Sequence, residues 1–366
     1  MESSRIRYLS QEEKQATRPM YESAFPEDSQ EFVDYYYSLK TKDNEIMVME
    51  GAEQDSSFHV MIHLNPYNLS IYGHRRQIPY IVAVATDIAY RRRGKMGLVM
   101  ASLLQDLAAG EVPFTFLLPA DPAYYRGQGF VFFPNQPYLD RGGICFARES
   151  RQEMIRAASL EVAGAGRWRR ASAEDAASMA VFSNRVLERR CEVFIWREEQ
   201  YCRRLLAELA AEHGGALVSE NWQGMNGLIF YSINRSQGTV TAEIKEILLE
   251  EDVTKEEAGE ICSAALKEAG CVAYDRISFT SSRMMVRLTN LFSLVPLLRS
   301  EKPIRHQVDV TDSVIAANEG CFQIDINCRG GSIRRIHGAG VREHMDIMEL
   351  TERLFGNTSV YLHEWV

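Results

Sequence analysis

A buried strand that runs directly into a basic loop and then into a helix constrains this chain more than any other feature. Ile78–Thr86 is rich in Ile, Val and Ala, which predicts a buried strand. The basic run Arg91–Lys95 follows, and the leucines after it recur close to helical spacing, which predicts a helix over Lys95–Ala109. A strand, a loop and a helix in this order predict a mixed α/β arrangement.

The basic loop has the chemistry of a diphosphate-binding site. Backbone N–H groups at the start of a helix have no partner inside the helix, and the helix dipole adds about half a positive charge there. Arg91, Arg92, Arg93 and Lys95 add positive potential, and Gly94 allows close backbone approach because it has no Cβ. The alternative is a basic surface turn before an ordinary helix, but the strand–loop–helix context and the four clustered cations favour the anion site.

Length and charge bound the remaining possibilities. The chain has 366 residues, which is too many for one ordinary core and predicts two or three domains. Its formal net charge of -9 argues against nucleic acid as a partner, because phosphate binding needs a concentrated basic surface. The same charge suits a cationic small molecule or an amine.

Cysteine usage and hydropathy exclude several other classes. The seven cysteines form no C-x-x-C pair and their number is odd, so we expect reduced thiols in a cytoplasmic protein. The eight histidines show no metal-ligand spacing, so no metal is expected. The polar N-terminus does not resemble a signal peptide, and no run of about 18 apolar residues predicts a membrane span.

The order of predicted elements occurs twice along the chain. Residues 1–150 predict one mixed α/β unit, and residues 151–280 repeat its order of strands and helices. An Arg-rich and Ala-rich stretch, Ala147–Gly166, predicts a helical linker between them. Residues 281–366 form a last segment, which has an apolar stretch, an alternating strand and a helix. We infer a degenerate structural repeat followed by this shorter segment.

The second repeat provides an internal comparison for the basic loop. Its equivalent stretch, Leu248–Glu260, is acidic and has no arginine. Such a loop would repel a diphosphate. We therefore expect one anion site per chain, in the first repeat.

The run Arg91-Arg92-Arg93-Gly94-Lys95-Met96 resembles the acetyl-CoA pyrophosphate loop of the GNAT acetyltransferases, Q/R-x-x-G-x-G/A. Met96 departs from the small residue usual at the last position. Together with the Y-R-R-R-G run, this departure resembles the enhanced-intracellular-survival (Eis) family of aminoglycoside acetyltransferases. The family's layout is similar to the segmentation above over the whole chain.

The resemblance implies a fold of the α/β (α+β) class with two tandem GNAT-like domains. The first, residues 1–150, would be catalytic, and the second, residues 151–280, would be degenerate and lack a cofactor site. Residues 281–366 would form a sterol-carrier-protein-like α+β domain that supplies the chain terminus to the active site. The resemblance also implies a homo-oligomer, such as a hexamer.

The resemblance further implies acetyl-CoA as the cofactor and a set of residues that bind it. Main-chain groups of Val84, Ala85 and Thr86 would meet the pantetheine arm. The residues implied for the rest of the cofactor are Arg92, Arg93, Gly94, Lys95, Met96 and Gly97 for the pyrophosphate, and Ala120 and Asp121 for the channel wall.

Tyr125 is the candidate proton donor. It precedes Gly129 by four residues, as in the Y-x-x-x-G-F ending common in GNAT domains. Acyl transfer leaves a thiolate, which a phenol with an unperturbed pKa of about 10 can protonate if it lies within hydrogen-bond reach. The alternatives are that Tyr125 only packs in the core, or that Tyr124 acts in its place.

The resemblance places the base at the end of the chain. An amine acceptor must lose a proton before it attacks, and in the Eis family the terminal carboxylate takes this role, which here belongs to Val366. Its reference pKa is near 3.5, so it would need desolvation or a water relay. The alternative is a tail that only completes a strand. Glu27, Asp28 and Glu364 could hold a cationic acceptor or could be solvated surface charges.

The sequence predicts an N-acetyltransferase that transfers acetyl directly to a primary amine of a small cationic acceptor, such as an aminoglycoside or a polyamine-like molecule. One alternative is a GNAT enzyme that acetylates a protein or peptide amine. The other is a non-catalytic module that binds an apolar ligand in the last domain.

Overall fold

The computed structural model describes residues 5–51, 57–136, 167–236, 238–250, 255–271, 274–279, 283–337, 342–362 and 364. The chain divides into two compact units. The first contains residues 1–28, 40–136 and 283–366, and the second contains residues 29–39 and 137–282. Among the described helices, none is long and apolar enough to cross a membrane.

The helices and strands of the first unit come from both ends of the chain. Its helices are α1 (Arg18–Ala24), α3 (Lys95–Ala109), α4 (Ala123–Arg126), α8 (Leu291–Leu294) and α9 (Ile347–Phe355). Its strands from the front of the chain are β1 (Arg5–Tyr8), β2 (Glu45–Glu50), β3 (Phe58–Ile71), β4 (His74–Thr86), β5 (Phe114–Leu117) and β6 (Val131–Phe132). Its later strands are β13 (Met285–Leu288), β14 (Ile304–Thr311), β15 (Gly320–Asn327), β16 (Gly330–Arg335), β17 (Glu343–Asp346) and β18 (Val360–Tyr361).

The main sheet of the first unit runs in the order β1-β2-β3-β4-β5-β13-β6. Its pairs are antiparallel except for β4 and β5, which are parallel. Helix α3 supplies the crossover between these two strands, as a parallel connection requires. The carboxyl ends of β4 and β5 therefore point the same way, toward the loop that precedes α3.

The core of the first unit lies between α3 and one face of this sheet. Helix α3 contributes buried side chains at helical spacing, and β2, β3, β4 and β5 contribute alternating ones. The fully buried members include Val60, Ile62, Val99, Leu103 and Leu104. Each such side chain stabilises the fold by about 1.5–3 kcal/mol relative to exposure, so the start of α3 is fixed firmly against the sheet.

A second, four-stranded sheet in the first unit has the order β16-β15-β14-β17. Helix α9 follows β17, and Asp346 begins it with a capping box in which Glu349 is the other member. Strand β13 is separate from this sheet, because it lies between β5 and β6 in the main one.

The second unit repeats the strand order of the first. Its helices are α2 (Gln30–Leu39), α5 (Ala176–Glu188), α6 (Glu199–Ala211) and α7 (Lys255–Glu268). Its strands are β7 (Arg167–Arg170), β8 (Val193–Ile195), β9 (Gly215–Asn221), β10 (Gly224–Ser236), β11 (Thr239–Leu249) and β12 (Arg276–Phe279). The sheet order β7-β9-β10-β11-β12, with a parallel last pair, matches β1-β2-β3-β4-β5. The structure confirms the mixed α/β fold class, and this match supports the predicted repeat.

Several elements differ from the sequence prediction. The sequence over residues 11–25 predicts one helix, whereas the structure has a short 3-10 turn followed by α1, because Pro19 lacks an N–H and fixes the start of a helix. Strand β4 begins at His74, before the predicted Ile78, and joins β3 at a tight turn where Tyr72 and Gly73 both have positive φ. The sequence also predicts a final strand over residues 358–366, of which the described residues show Val360–Tyr361.

Two further expectations concern the later part of the chain. The apolar stretch near residues 284–298 divides into β13 and α8, and β14 was not predicted from the sequence. The predicted linker helix over residues 147–166 lies outside the described residues. The three-domain division stays a prediction.

Candidate active site

Strand β4 carries an extra residue where it passes β3. Met61 pairs with Ala85 but His63 pairs with Val82, so β4 has one residue more than β3 over this stretch. Ala83 has a φ of 49°, which is uncommon for a residue with a side chain. Such a bulge turns the strand and increases its twist, so the last residues of β4 leave the direction set by its first half.

Strands β4 and β5 separate beyond the bulge. Their described pairs are Tyr80 with Phe116 and Ile81 with Leu117, where β5 ends. Strand β4 continues to Thr86. The predicted cofactor-binding main chain of residues 84–86 thus lies past the paired part of the two strands. Backbone groups there can pair with an extended ligand as with an added strand.

Local hydrogen bonds hold the basic loop between β4 and α3 in a turn. The side chain of Asp87 accepts a hydrogen bond from the Ala89 N–H at 2.8 Å, and Arg91 Nε donates to the Thr86 carbonyl at 3.0 Å. Arg92 and Gly94 both have positive φ, at 60° and 72°. These contacts fold the loop back so that it ends on the first turn of α3.

The first turn of α3 presents main-chain N–H groups at its N-terminal end. The N–H of Leu98 donates to the Gly94 carbonyl, and this is the first hydrogen bond of the helix. The N–H groups of Met96 and Gly97 precede it, and groups in this position have no acceptor within the helix. Because α3 is 15 residues long, its dipole reinforces the attraction of negative charge at this end.

The side chain of Lys95 contacts His59 and Tyr90. Its Nζ lies 3.1 Å from His59 Nδ1, and it also lies over the Tyr90 ring at 5.5 Å from the centroid. An ammonium group only donates, so Nδ1 of His59 accepts. The side chain of Lys95 therefore ties the first turn of α3 to His59 and Tyr90. Arg92 and Arg93 are exposed.

Tyr125 lies on the short helix α4 and is 7% exposed, whereas Tyr124 is 63% exposed. Its ring meets Phe130 edge to face at 5.8 Å. Burial, together with the neighbouring Tyr124, raises the pKa of Tyr125 to about 12. Within the described part of the chain, the Tyr125 hydroxyl has no hydrogen-bond partner. It is therefore a protonated donor without a resident acceptor, and Tyr124 lacks this protected setting.

Gln128 joins the turn after Tyr125 to the start of α3. Its N–H donates to the Tyr125 carbonyl at 3.0 Å. Its side-chain nitrogen would lie 3.3 Å from a Cβ added at Gly97, so the two residues are close. Gln128 Oε1 is buried and has no hydrogen-bond partner among the described residues. A ligand amide N–H could satisfy it, which fits a pantetheine arm.

Ala120 and Asp121 follow β5 and are exposed. Asp121 accepts a hydrogen bond from the Ala123 N–H at 2.9 Å, which caps the turn into α4. The structure thus gives Asp121 a local role in placing α4. This role is additional to the predicted one in the channel wall.

Two of the acidic residues proposed for the acceptor are buried in part or in full. Tyr21 donates to Asp28 at 2.8 Å, and burial raises the pKa of the Asp28 carboxyl. Glu364 is 3% exposed and accepts a hydrogen bond from Tyr67 at 2.8 Å, and Tyr67 accepts one from Lys40 at 3.0 Å. Glu364 is therefore not a solvated surface charge, and sequence reasoning missed its partners.

Two residues bear on the identity of the base, the predicted Val366 and a buried histidine. Val366 lies outside the described residues. His63 is fully buried, and burial with the nearby charge of Lys14 lowers its pKa to about 3. A group with so low a pKa is a weak base at neutral pH. Among the described residues, no cluster of His, Cys, Asp and Glu could hold a metal ion.

Comparison with known proteins identifies the first part of the chain. Residues 5–133 match the model of the acetyltransferase (GNAT) domain family. They form a GNAT acetyltransferase domain. The domain match supports an acyltransferase, and the GNAT family uses acetyl-CoA. A search of curated proteins found no match.

Solved structures share the fold over nearly the whole chain. A probable N-acyltransferase from Enterococcus faecalis V583 is 18% identical, with a TM-score of 0.71 over 96% of this chain and 89% of that chain. A GCN5-related N-acetyltransferase from Kribbella flavida is 14% identical, with a TM-score of 0.69 over 99% of each chain. Eis1 from Mycobacterium abscessus is 14% identical, with a TM-score of 0.63 over 97% of this chain and 90% of that chain. At these identities the likeness shows the fold alone.

Proposed function

We propose that this protein transfers acetyl from acetyl-CoA directly to a primary amine of a small cationic acceptor, such as an aminoglycoside or a polyamine-like molecule. The observation that carries the proposal is a convergence of three features in the GNAT domain. They are the separated ends of β4 and β5, the open first turn of α3, and the unpartnered hydroxyl of Tyr125.

The residues present fit acetyl-CoA, which supplies the acetyl group as a thioester. Main-chain groups of Val84, Ala85 and Thr86 would bind the pantetheine arm, and the buried Gln128 oxygen offers one further acceptor. Gly94, Lys95, Met96 and Gly97 would hold the pyrophosphate through the main chain, with charge from Arg92 and Arg93. Ala120 and Asp121 would line the channel.

Tyr125 would protonate the sulfur that leaves. The burial of the Tyr125 side chain raises its pKa to about 12, which keeps the hydroxyl protonated across the neutral range. The reference pKa of a thiol is about 8.5, so the departing thiolate is a weaker base than the Tyr125 phenolate. The hydroxyl would therefore stabilise the sulfur first by donating a hydrogen bond as the bond to the acetyl group breaks.

The cationic acceptor is supported by the acidic residues and by the net charge of -9. Asp28 is half-buried beside Tyr21, and Glu364 is buried beside Tyr67. The resemblance to the Eis family favours aminoglycosides within this class, and it also assigns the base to the carboxylate of Val366. The sterol-carrier likeness of the last domain and a homo-oligomer, such as a hexamer, are proposals on the same resemblance.

The proposal is tested by acetyl-CoA consumption against a panel of amines that includes aminoglycosides, polyamines and lysine peptides. Turnover with the small cations and little with the peptides supports it. Preference for the peptides would favour an enzyme for protein amines. Tight acetyl-CoA binding without turnover on any amine would contradict the catalytic role, and binding of neither would favour an apolar-ligand module.

A further inference from the structure

We infer that Arg287 is a positioning residue for the proposed catalytic turn, Tyr125–Phe130. This inference rests on the proposed role of Tyr125. Arg287 lies on β13, which pairs with β5 through Met285 and Leu117 and with β6 through Met285 and Phe132. The strand comes from beyond the GNAT family match, which ends at residue 133. A later part of the chain therefore completes the sheet beside the turn.

Every nitrogen of the Arg287 guanidinium has a partner. Nε donates to the Gln128 carbonyl, Nη1 to the Leu288 carbonyl and Nη2 to Asp312 Oδ1, each at 2.6 Å. The side chains of Arg287 and Asp312 are 0% and 1% exposed. A buried ion pair costs much desolvation, which only good geometry and further hydrogen bonds offset. This guanidinium is therefore held in one orientation.

Asp312 is fixed in turn by its own surroundings. Its carboxylate accepts hydrogen bonds from the N–H groups of Val314 and Ile315 and from the side-chain amide of Asn318, at 3.0–3.1 Å. With Arg287 as the fourth donor, both carboxylate oxygens are used. The position of Arg287 thus depends on a rigid anchor and not on a mobile surface charge.

Gln128 transmits the position of Arg287 to Tyr125. The carbonyl of Gln128 accepts from Arg287, its N–H donates to the Tyr125 carbonyl, and its side chain lies beside Gly97. One residue therefore links the buried arginine, the proposed donor and the first turn of α3. A shift of the Gln128 carbonyl would move the turn that places the Tyr125 hydroxyl.

Gly129 shows how closely Arg287 approaches this turn. Gly129 has a φ of 83°, and a Cβ added there would lie 2.7 Å from Arg287 Nε, which is too close for non-bonded atoms. The guanidinium occupies the space that a side chain at residue 129 would need. The glycine of the Y-x-x-x-G-F motif is thus required by both its backbone conformation and this contact.

The kinetic consequence should be larger for kcat than for KM. Within the described part of the chain Arg287 makes no hydrogen bond to β4 or α3, which hold most of the cofactor in our proposal. Because its partner Gln128 is also a proposed contact of the pantetheine arm, the KM for acetyl-CoA should rise, but by a smaller factor than kcat falls. A misplacement of a catalytic group by about 1 Å can lower the rate about 100-fold. We expect Arg287→Lys, which keeps the charge but not the fork of donors, to lower kcat about 10- to 100-fold.

The matched control is Arg197→Lys in the second unit. Arg197 and Glu246 form a buried pair whose side chains are 2% and 1% exposed, so the loss of geometry is comparable. Arg197 is not a partner of the Tyr125 turn in our proposal. We expect R197K to keep kcat within about twofold, even where thermal unfolding shows that it destabilises the protein as much as R287K does. Equal loss of kcat in both variants would overturn the inference.

A double-mutant cycle with Tyr125→Phe separates positioning from general damage. If Arg287 acts through Tyr125, R287K should lower kcat strongly in the wild type but less than about twofold in the Y125F background. Full additivity of the two effects would overturn the inference. If Y125F itself keeps full kcat, the proposed donor fails, which is a different result from an R287K that keeps full kcat while Y125F loses it.

Gly129→Ala is a second variant for the case in which R287K does not fold. It keeps both charges of the buried pair, and its Cβ would press on the Arg287 guanidinium while the positive φ of residue 129 strains the turn itself. We expect a kcat loss that is again smaller in the Y125F background. A folded G129A enzyme with wild-type kcat would overturn the inference independently of R287K.

Discussion

Removal of the Tyr125 hydroxyl tests the proposed mechanism at one atom. Tyr125→Phe keeps the buried ring and its edge-to-face contact with Phe130. Because the hydroxyl has no hydrogen-bond partner in the described part of the chain, its removal breaks no bond within the fold. We therefore expect the free energy of unfolding to change by less than about 1 kcal/mol.

The same change should be large in the chemistry. A positioned general acid contributes about 100-fold or more to rate, which corresponds to about 2.7 kcal/mol of transition-state stabilisation. We expect kcat of Y125F to fall about 100-fold. The KM for acetyl-CoA should stay within about threefold, because the hydroxyl acts on the sulfur only as the bond to the acetyl group breaks and is not a proposed binding contact of acetyl-CoA.

The assay is the initial rate of free-thiol release at saturating acetyl-CoA, with Tyr124→Phe as the matched control. Tyr124 is 63% exposed, and its hydroxyl should be dispensable. The pH dependence gives an independent check. Since burial raises the pKa of Tyr125 to about 12, the donor form persists through pH 10, and kcat should not fall from this group below that pH. A Y125F enzyme with wild-type kcat, or a Y124F enzyme with the larger loss, would refute the reasoning.

Three further predictions concern the loop, the chain end and the core. Arg92→Ala and Arg93→Ala should each raise the KM for acetyl-CoA by up to about fivefold in steady-state assays and leave kcat nearly unchanged, because both side chains are exposed and screened; unchanged KM in the double variant would contradict this. A short extension after Val366 should abolish turnover while calorimetry still shows acetyl-CoA binding, and full kcat in the extended protein would contradict the terminal-carboxylate proposal. The His63 pKa is lowered from 6.5 to about 3, so below pH 6.5 the unfolded state binds a proton that the folded state does not. The free energy of unfolding should therefore fall by about 1.4 kcal/mol for each pH unit below pH 6.5. Denaturant unfolding at several pH values should show that His63→Asn lacks this pH dependence.

Local patterns predicted the part of the site that is local in sequence. The strand, basic loop and helix are contiguous, so charge, glycine and helical spacing sufficed to predict the turn that leads into α3. The role of Tyr125 instead comes from the resemblance to the Y-x-x-x-G-F ending of GNAT domains and stays a prediction; one short helix and a turn connect it to Gly129. Such features need no knowledge of distant pairing.

Features that depend on distant pairing were not predicted. The β4 bulge at Ala83 is visible only in the register with β3, since nothing in an Ile-Val-Ala run shows where an extra residue will fall. Strand β13 lies 168 residues or more beyond β5 in sequence, and local patterns cannot place it between β5 and β6. One signal was present in the sequence. Arg287 is a single cation inside an apolar stretch, and a buried charge of this kind requires a partner.

The second unit shows which part of the site comes from the fold and which from the loop. Strand β11 has the same irregularity as β4, because Phe230 pairs with Glu246 while Tyr231 pairs with Ile244, which leaves one extra residue in β11. In both units, therefore, the strand next to the parallel last strand carries a bulge.

The charge of the neighbouring loop determines which ligands could bind beside such a bulge. In the second unit the strand ends beside Glu250, whose carboxylate accepts from Arg185 and Arg189. An anion that approached this position would meet a carboxylate already paired with the nearby arginines, whereas the first unit has exposed arginines and the N–H groups at the start of α3. Both units have the bulge, but the arginine-rich loop belongs to the first, so the proposed anion binding depends on residues 91–97 and not on the GNAT-like sheet as such.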